Sequence, residues 1–439
     1  MSMTRPFVPF GEWLPDQPAY RGGIQTAENV YPREVMGEGG VTYGPWPAGV
    51  VFSTALTARC QGAFSGRSGA GNVAVFAADA TKLYKLSSAA AWSDVTGTAL
   101  NIGADEHGEF CQFGERVVFV EYQTAPQDWI LDTDVAWGTL AGSPPKARHI
   151  GVVEPGFVML GNLNVAGTIY PNGVQWCAYN DVDDWPTPGT SDAALKQSDR
   201  SVLALGGWVN RIIGPVGGAA GVIVSDTVIH RIEYTGPPTI FRFIPVVQGR
   251  GSIAPFSCVP VAISNSQTVM FFLAEDGFYA FDGTTAQPIG QGRIDKTILD
   301  QLSRTYMHRT YGFADPTKKL VLWAFSTDAN GGNFESVLVY NWAINKWSLL
   351  NPTELGTKSG EFATLLLSAG YTLDALDTLG YTLDTLPFSL DSRVWTGGAP
   401  SLAYFDSDHK LRYWTGDNLA ARIDTAEFDG GSGRRLFCT

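Results

Sequence analysis

The chain has 439 residues, with 50 glycines, 25 prolines, 13 tryptophans, 16 tyrosines and 24 phenylalanines, a composition suited to many short strands with tight turns and poorly suited to long helices. Its 44% hydrophobic content excludes a disordered chain, and a net charge of −13 argues against a protein that wraps DNA or coats a membrane through basic residues. An acidic surface serves solubility, and it also lets a polyanion slide past without sticking.

The five cysteines, Cys60, Cys111, Cys177, Cys258 and Cys438, stand singly with no CxxC pair. That pattern predicts reduced, mostly buried thiols in a protein made in a cytoplasm. The opening MSMTRPFVPFGEWLPDQP lacks the apolar core of a signal peptide, and no stretch approaches the roughly 18 apolar residues of a membrane helix. A soluble protein without a membrane anchor is expected.

In chain order, residues 1–49 are rich in proline and glycine. Pro6, Pro9, Pro15, Pro18 and Pro32 forbid a long helix, so this segment reads as an extended arm that docks on the body or on a neighbour. Residues 50–366 carry repeated short apolar runs. The first unit reads as Phe52–Phe64, Asn72–Ala77 and Leu83–Leu86, with Trp92 opening a further strand. The second reads as Phe110–Phe113, Val117–Tyr122 and Trp129–Leu131, closing at Trp137, and the third as His149–Val153, Phe157–Leu160 and Val174–Tyr179, closing at Trp185. Units separated by roughly 40–50 residues with about four strands each are the signature of propeller blades.

A fourth unit follows at Arg211–Gly214, Gly221–Ser225, Val228–Tyr234 and Phe241–Val247. The fifth, at Phe256–Ala262, Val269–Leu273, Phe278–Phe281 and Ala286–Ile289, contains the clearest hairpin of the chain, where Asp282-Gly283 supplies the turn. Ile294–Arg304 then interrupts the strands. Ile294, Ile298, Leu299 and Leu302 recur at helical spacing, which predicts a short amphipathic helix packed on the ring with Asp295 as a favourable charge at its start. The sixth unit is His308–Ala314, Leu320–Phe325, Ser336–Asn341 and Lys346–Leu350, and a seventh spans Phe362–Leu366 and Leu402–Phe428 around an insertion. The fold expected is therefore an all-β propeller of about six or seven four-stranded blades.

The insertion, 367–398, contains YTLD twice and a series of leucines that need burial. Leu376, Leu379, Leu383, Leu386 and Phe388 are the candidate oligomer or partner contacts. Residues 399–439 are read as strands that close the propeller or begin a tip segment.

Three fragments in order carry a family resemblance: LPDQPAY…TAENVYP…VTYGPWP, then GRGSIAPFSCV…VMFFLAEDGFYAFDG…IDKTILDQL, then TLDTLPFSLDSRVWTGG. Together, from about Leu14 to Ala426, they resemble the tail nozzle (tail tubular, DNA-stabilising) proteins of short-tailed bacteriophages. The resemblance implies a structural virion protein, synthesised in the host bacterial cytoplasm. It implies several copies, usually six, forming a ring or tube at the distal tail that retains packaged double-stranded DNA and conducts it during ejection. The partners implied are the head-to-tail adaptor and tail fibre or tailspike proteins, with no sequence-specific DNA contact. Relatives tend to continue into a further β segment, whereas this sequence stops at GRRLFCT.

Chemistry is sparse in the sequence. His107, His149, His230, His308 and His409 are dispersed, with no HExxH motif. Asp181, Asp183 and Asp184, and likewise Asp406 and Asp408, could approach a hard cation, but turn-forming aspartates explain both clusters. Ser65–Asn72 is glycine-rich without the Lys-Ser/Thr and helix that a phosphate loop needs, and reads as a hairpin. No G-x-S-x-G nucleophile motif is present, and Arg200, Arg211, Arg231, Arg242, Arg250 and Arg293 form no basic run. These readings favour a non-enzymatic conduit without cofactor or metal. The alternative is a receptor-binding or glycan-processing propeller at the tail tip, with a pocket at the propeller mouth.

Overall fold

A computed structural model describes residues 11–18, 23–34, 41–186, 203–237, 239–264, 267–351, 358–367 and 400–425. The chain is a seven-bladed β-propeller. Each blade is an antiparallel sheet of four consecutive positions, save the last, which takes its outermost strand from near the N-terminus.

Blade 1 runs Gly62–Arg67, Val73–Ala78, Leu83–Leu86 and Trp92–Asp94, and blade 2 runs Glu109–Phe113, Arg116–Val120, Gln127–Ile130 and Gly138–Thr139. Blade 3 comprises Lys146–Val153, Phe157–Val165, Thr168–Trp176 and Leu203–Ala204; blade 4 comprises Val209–Ile213, Gly221–Ser225, Val228–Tyr234 and Phe241–Gln248. Blade 5 is Val259–Ser264, Gln267–Ala274, Gly277–Phe281 and Ala286–Pro288, and blade 6 is Tyr311–Asp315, Leu320–Phe325, Ser336–Asn341 and Lys346–Leu350. Blade 7 joins Gly360–Leu367, Pro400–Asp406 and Lys410–Asn418 to Pro47–Ala55.

The sequence explains this layering. Second strands such as VAVFAA, GVIVS and LVLWAF are unbroken apolar runs and are almost wholly buried. A strand alternates only when one face meets water; here both faces meet neighbouring blades, so both must be apolar. Outermost strands such as Trp92–Asp94 and Gly138–Thr139 are largely exposed. The core is accordingly a set of wedges between blades. Phe76, Val117, Phe119, Trp129 and Trp137 fill the seam of blades 1 and 2, and Phe278, Trp323 and Trp347 fill that of blades 5 and 6.

Ring closure corrects the expected first unit. Phe52–Phe64 is not one strand. Pro47–Ala55 ends before Leu56 and pairs with Lys410–Asn418 through Val51↔Arg412, Val50↔Tyr413 and Gly49↔Trp414, while Gly62–Arg67 opens blade 1. The closing strand thus crosses the expected limit at residue 49, and Trp46 beside it is fully buried edge-on to Tyr31 and Trp414. The third unit is also corrected. Its outermost strand is Leu203–Ala204, and Trp185 instead packs, buried, in the seam of blades 2 and 3.

The described part of the N-terminal arm docks on blade 6. Ile24–Glu28 lies parallel to Lys346–Leu350 and antiparallel to Arg422–Thr425, which extends that sheet to six strands. Val30–Glu34 and Val41–Pro45 form a separate two-stranded ribbon. Trp13, Ile24, Ala27 and Val30 are buried in the cluster between blades 5 and 6. Glu12 ion-pairs with Lys346 at 2.5 Å and with Arg293.

The helix Asp295–Gln301 forms where the spacing predicts it, with Ile294, Ile298 and Leu302 buried in the same cluster. Its N-terminal anion, however, is not Asp295. Asp16 of the arm accepts from the Lys296 and Thr297 amides at 3.0 and 2.8 Å. Asp295 turns inward, into a notch that Gly277 and Gly290 leave: a Cβ on either would stand 2.2 or 2.0 Å from its carboxylate. Burial pushes its pKa up to about 7, and Asp16 and Asp276 add to the rise against the Phe278 amide that it accepts.

A measurable pH dependence follows. The ordinary carboxyl value is near 4, so between about 4 and 7 the folded chain holds a proton that the unfolded chain does not. Stability therefore falls as pH rises through that window, by up to about 4 kcal/mol, and is flat above it. Urea unfolding of Asp295→Asn at several pH values is expected to show that slope reduced. An unchanged slope would remove Asp295 from the account.

The expected turn chemistry appears as well. Asp282 accepts from the Thr284 and Thr285 amides and hydroxyls at 2.7–3.0 Å, and Gly283 takes φ +101°. Burial alone would raise the Asp282 pKa; these donors outweigh it and hold the carboxyl down to about 2. Gly62–Arg67 and Val73–Ala78 form the hairpin expected of the glycine-rich stretch.

Candidate functional site

The first strand of each blade lies nearest the axis, and these strands contact one another around the ring, with the 3-10 turn Pro255–Ser257 set between blades 4 and 5. Two cavities lie along this hub. The inner one, about 190 Å³, is bounded by Phe110, Arg211, Phe256, Cys258, Tyr311 and Phe362. The outer one, about 390 Å³, opens at the end where the chain enters each first strand. Aromatic side chains fill the space between, so one propeller's hub can hold a small ligand but not a nucleic-acid duplex.

Charged groups in the hub are tied in pairs. Glu109, buried on blade 2, lies 3.1 Å from His149 Nδ1 on blade 3 and 2.5 Å from Arg211 Nη1 on blade 4. The Arg211 guanidinium lies over the Phe256 ring at 4.9 Å. Burial pushes the His149 pKa down despite Glu109, which leaves a neutral imidazole whose Nε2 is the nitrogen available to a ligand.

The connection into blade 2 forms one wall of the mouth. Arg59 and Arg309 both donate to the Ala104 carbonyl, at 2.6 and 2.9 Å, and Arg309 reaches Asp105 at 3.3 Å. Glu106 pairs with Arg148 at 2.9 Å, and Arg148 lies over the Tyr122 ring at 4.2 Å. His107 is buried, with Nε2 2.7 Å from the Tyr311 hydroxyl and its ring 4.8 Å from Phe256. Burial drives its pKa well below the ordinary histidine value, and that of His308 below as well, with Arg309 adding to the latter. Across the mouth stand Asn162, Ile169, Trp208 and Asn210. Ile169 and Trp208 are 56% and 63% exposed, unusual for large apolar side chains.

The mouth offers one oriented imidazole among polar and aromatic side chains. A Glu-oriented imidazole can act as a general base. Yet no serine, threonine or cysteine is among the residues lining the outer cavity.

The sequence candidates fare unevenly. Leu376, Leu379, Leu383, Leu386 and Phe388 lie outside the described residues. Asp183 pairs with Arg116 at 2.7 Å and Asp181 accepts the Asp183 amide at 3.1 Å, a turn rather than a cation cage. Asp406 is buried and accepts from the Asp408 and Lys410 amides, while Asp408 pairs with Lys358. Among the described residues no group of three or more histidine, cysteine or acidic side chains is placed to hold a metal ion. Cys60, Cys111, Cys177 and Cys258 are free and buried.

His107, His149 and His308, dispersed in the sequence, converge at the mouth. The signal was their position in the repeat: HGEFCQF, HIGVV and HRTYGF each place histidine two or three residues before, or within, a blade's first strand.

No family model matches the chain, and no curated protein does. Among solved structures it is similar to the Neurospora crassa Pan2 WD40 domain, at 8% identity and TM-score 0.44, over 86% of this chain and 98% of that one. It is similar also to virginiamycin B lyase from Staphylococcus aureus, at 10% identity and TM-score 0.44, over 82% and 97% of the two chains. A streptogramin B lyase structure matches at 10% identity and TM-score 0.41, over 83% and 96%. No residue role passes from these proteins to this one. Among the described residues no helix is long and apolar enough to cross a membrane.

Proposed function

We propose that this chain is a non-catalytic structural subunit of a short-tailed phage tail, several copies of which, six in the expected assembly, form a ring around the DNA path. The observation that carries the reading is the edge of blade 6. Strands from near both chain ends, Ile24–Glu28 and Arg422–Thr425, widen that sheet to six and leave Arg422–Thr425 as its outer strand. A sheet widened in this way presents a broad face and an outer strand on which a neighbouring copy would dock. The packed hub adds a constraint: DNA would run between copies, along acidic outer surfaces, and not through any one propeller. The resemblance of the three ordered fragments and the net charge of −13 agree with this role. Sedimentation and native mass spectrometry of the purified full chain test it: a ring of copies is expected, and a monodisperse monomer that forms no ring with its tail partners would count against it.

A second reading is a receptor-binding propeller at the tail tip, and the cavity of about 390 Å³ at the hub mouth favours it. Both readings place the chain in the virion; they differ in whether blade 6 or the mouth makes the decisive contact.

A further inference from the structure

We infer that the outer mouth of the hub is a binding site for a neutral saccharide, with Trp208 as the platform on which a sugar ring lies. This deepens the receptor reading and rests on it only in taking the mouth as the ligand-bearing face.

Size comes first. A cavity of about 390 Å³ falls within the range of small-ligand pockets, near its lower end. Shape follows. Trp208 and Ile169 stand at the mouth, each more than half exposed, whereas most other large apolar side chains among the described residues are buried. An exposed indole leaves apolar surface in water, and a flat apolar ring face covers it at little cost in side-chain entropy.

The polar groups of the mouth carry both donors and acceptors. Asn162 and Asn210 give their amide N–H groups to the Val209 and Ser252 carbonyls, at 3.3 and 2.7 Å, which fixes each amide and leaves its oxygen as an acceptor. Glu106 and Arg148, held together at 2.9 Å, offer further acceptors and donors side by side. His149, oriented by Glu109, offers Nε2. Hydroxyl groups both donate and accept, so adjacent hydroxyls on a ring suit such a mixed set, where an apolar ligand would leave it unpaired.

Charge selects a neutral ligand. Arg148 is committed to Glu106, Arg211 to Glu109, and Arg309 to Asp105 and the Ala104 carbonyl. Burial keeps His107, His149 and His308 below the ordinary histidine pKa, so they add no cation at neutral pH. A carboxylated sugar would meet Asp105 and Glu106 in the lining, where Arg148, the one arginine there, is already paired with Glu106; Arg59 lies behind the wall on the Ala104 carbonyl.

The test uses the full chain on a glycan array carrying neutral hexose and N-acetylhexosamine oligomers alongside sialylated and uronate oligomers, with the strongest binder then titrated by calorimetry. Neutral oligomers are expected to bind in preference to acidic ones. Trp208→Ala is expected to weaken the best of them at least tenfold, and Glu106→Gln to weaken it several-fold, while Val135→Ala, an exposed site on blade 2, leaves it unchanged. Thermal melting checks that the variants fold; Glu106→Gln and Asn210→Ala serve if Trp208→Ala does not. No binding to any oligomer, preference for acidic ones, or affinity unmoved by the mouth variants would overturn the assignment. Competition of the same oligomer against particle adsorption to cells is a separate arm. Binding without competition would retain the saccharide site and sink the receptor reading.

Discussion

Asp406→Ala is expected to destabilise the folded chain by about 3–5 kcal/mol, the range for leaving a buried charge without its partner. Asp406 ends the second strand of blade 7 and is fully buried. Its carboxylate accepts from the Asp408 and Lys410 amides at 2.9 and 3.0 Å and pairs with Arg412 Nε at 2.5 Å. Arg412 in turn donates to the Gly49 carbonyl at 3.1 Å, on the strand that arrives from the N-terminal side. One carboxylate therefore shapes the turn, holds the guanidinium and, through it, fastens the two ends of the ring. Alanine would leave two amides and a largely buried cation unmatched at the seam where the chain closes on itself. Asp406→Asn, which keeps the shape and loses the charge, should fall between. Urea denaturation measures both, and a loss under about 1 kcal/mol for Asp406→Ala would mean that the closure does not depend on this residue.

Trp323→Ala is expected to cost a similar amount, about 3–5 kcal/mol, for a different reason. Trp323 is fully buried between blades 5 and 6, with ring centroids 4.8 Å from Phe278 and 5.9 Å from Trp347. Its indole N–H donates to the Ser257 carbonyl at 2.9 Å. Removing it opens a cavity in the wedge and leaves that carbonyl unpaired. Ser257 adjoins Phe256, which borders both hub cavities, so the same variant should also loosen the mouth. Trp323→Phe keeps most of the volume and loses only the hydrogen bond. It should retain most of the stability. Equal losses for the two would place the effect in the Ser257 bond and not in packing.

How far the sequence could be read follows from where each signal resides. Blades 4, 5 and 6 were legible because each strand is a short apolar run bounded by glycine, aspartate or asparagine, and the four follow one another without interruption. The helix was legible because Ile294, Ile298 and Leu302 keep helical spacing where no strand alternation competes. Ring closure was not. Phe52 to Phe64 is apolar on both sides of Thr57–Gln61, and only the pairing of Val51 with Arg412, far along the chain, shows that two blades meet there. Trp185 misled for a related reason: tryptophan serves an inter-blade seam as readily as an outermost strand, and two residues, Leu203 and Ala204, suffice for the real edge. Asp295 was read as a helix-start charge because local rules see only its own helix, while its carboxylate answers to Gly277 and Gly290. The mouth was hidden altogether. His107, His149 and His308 carry no local motif, and they share a site only because three blades begin at one end of the hub.

The central claim is that this propeller works as one of several copies around a DNA path that avoids its own hub. A reconstruction of the assembled particle by electron cryo-microscopy tests it most directly. The account predicts seven-bladed wheels repeated around the tail axis, DNA density between copies, and none in the hubs. A lone wheel threaded on the axis, or a tail without such wheels, would contradict it.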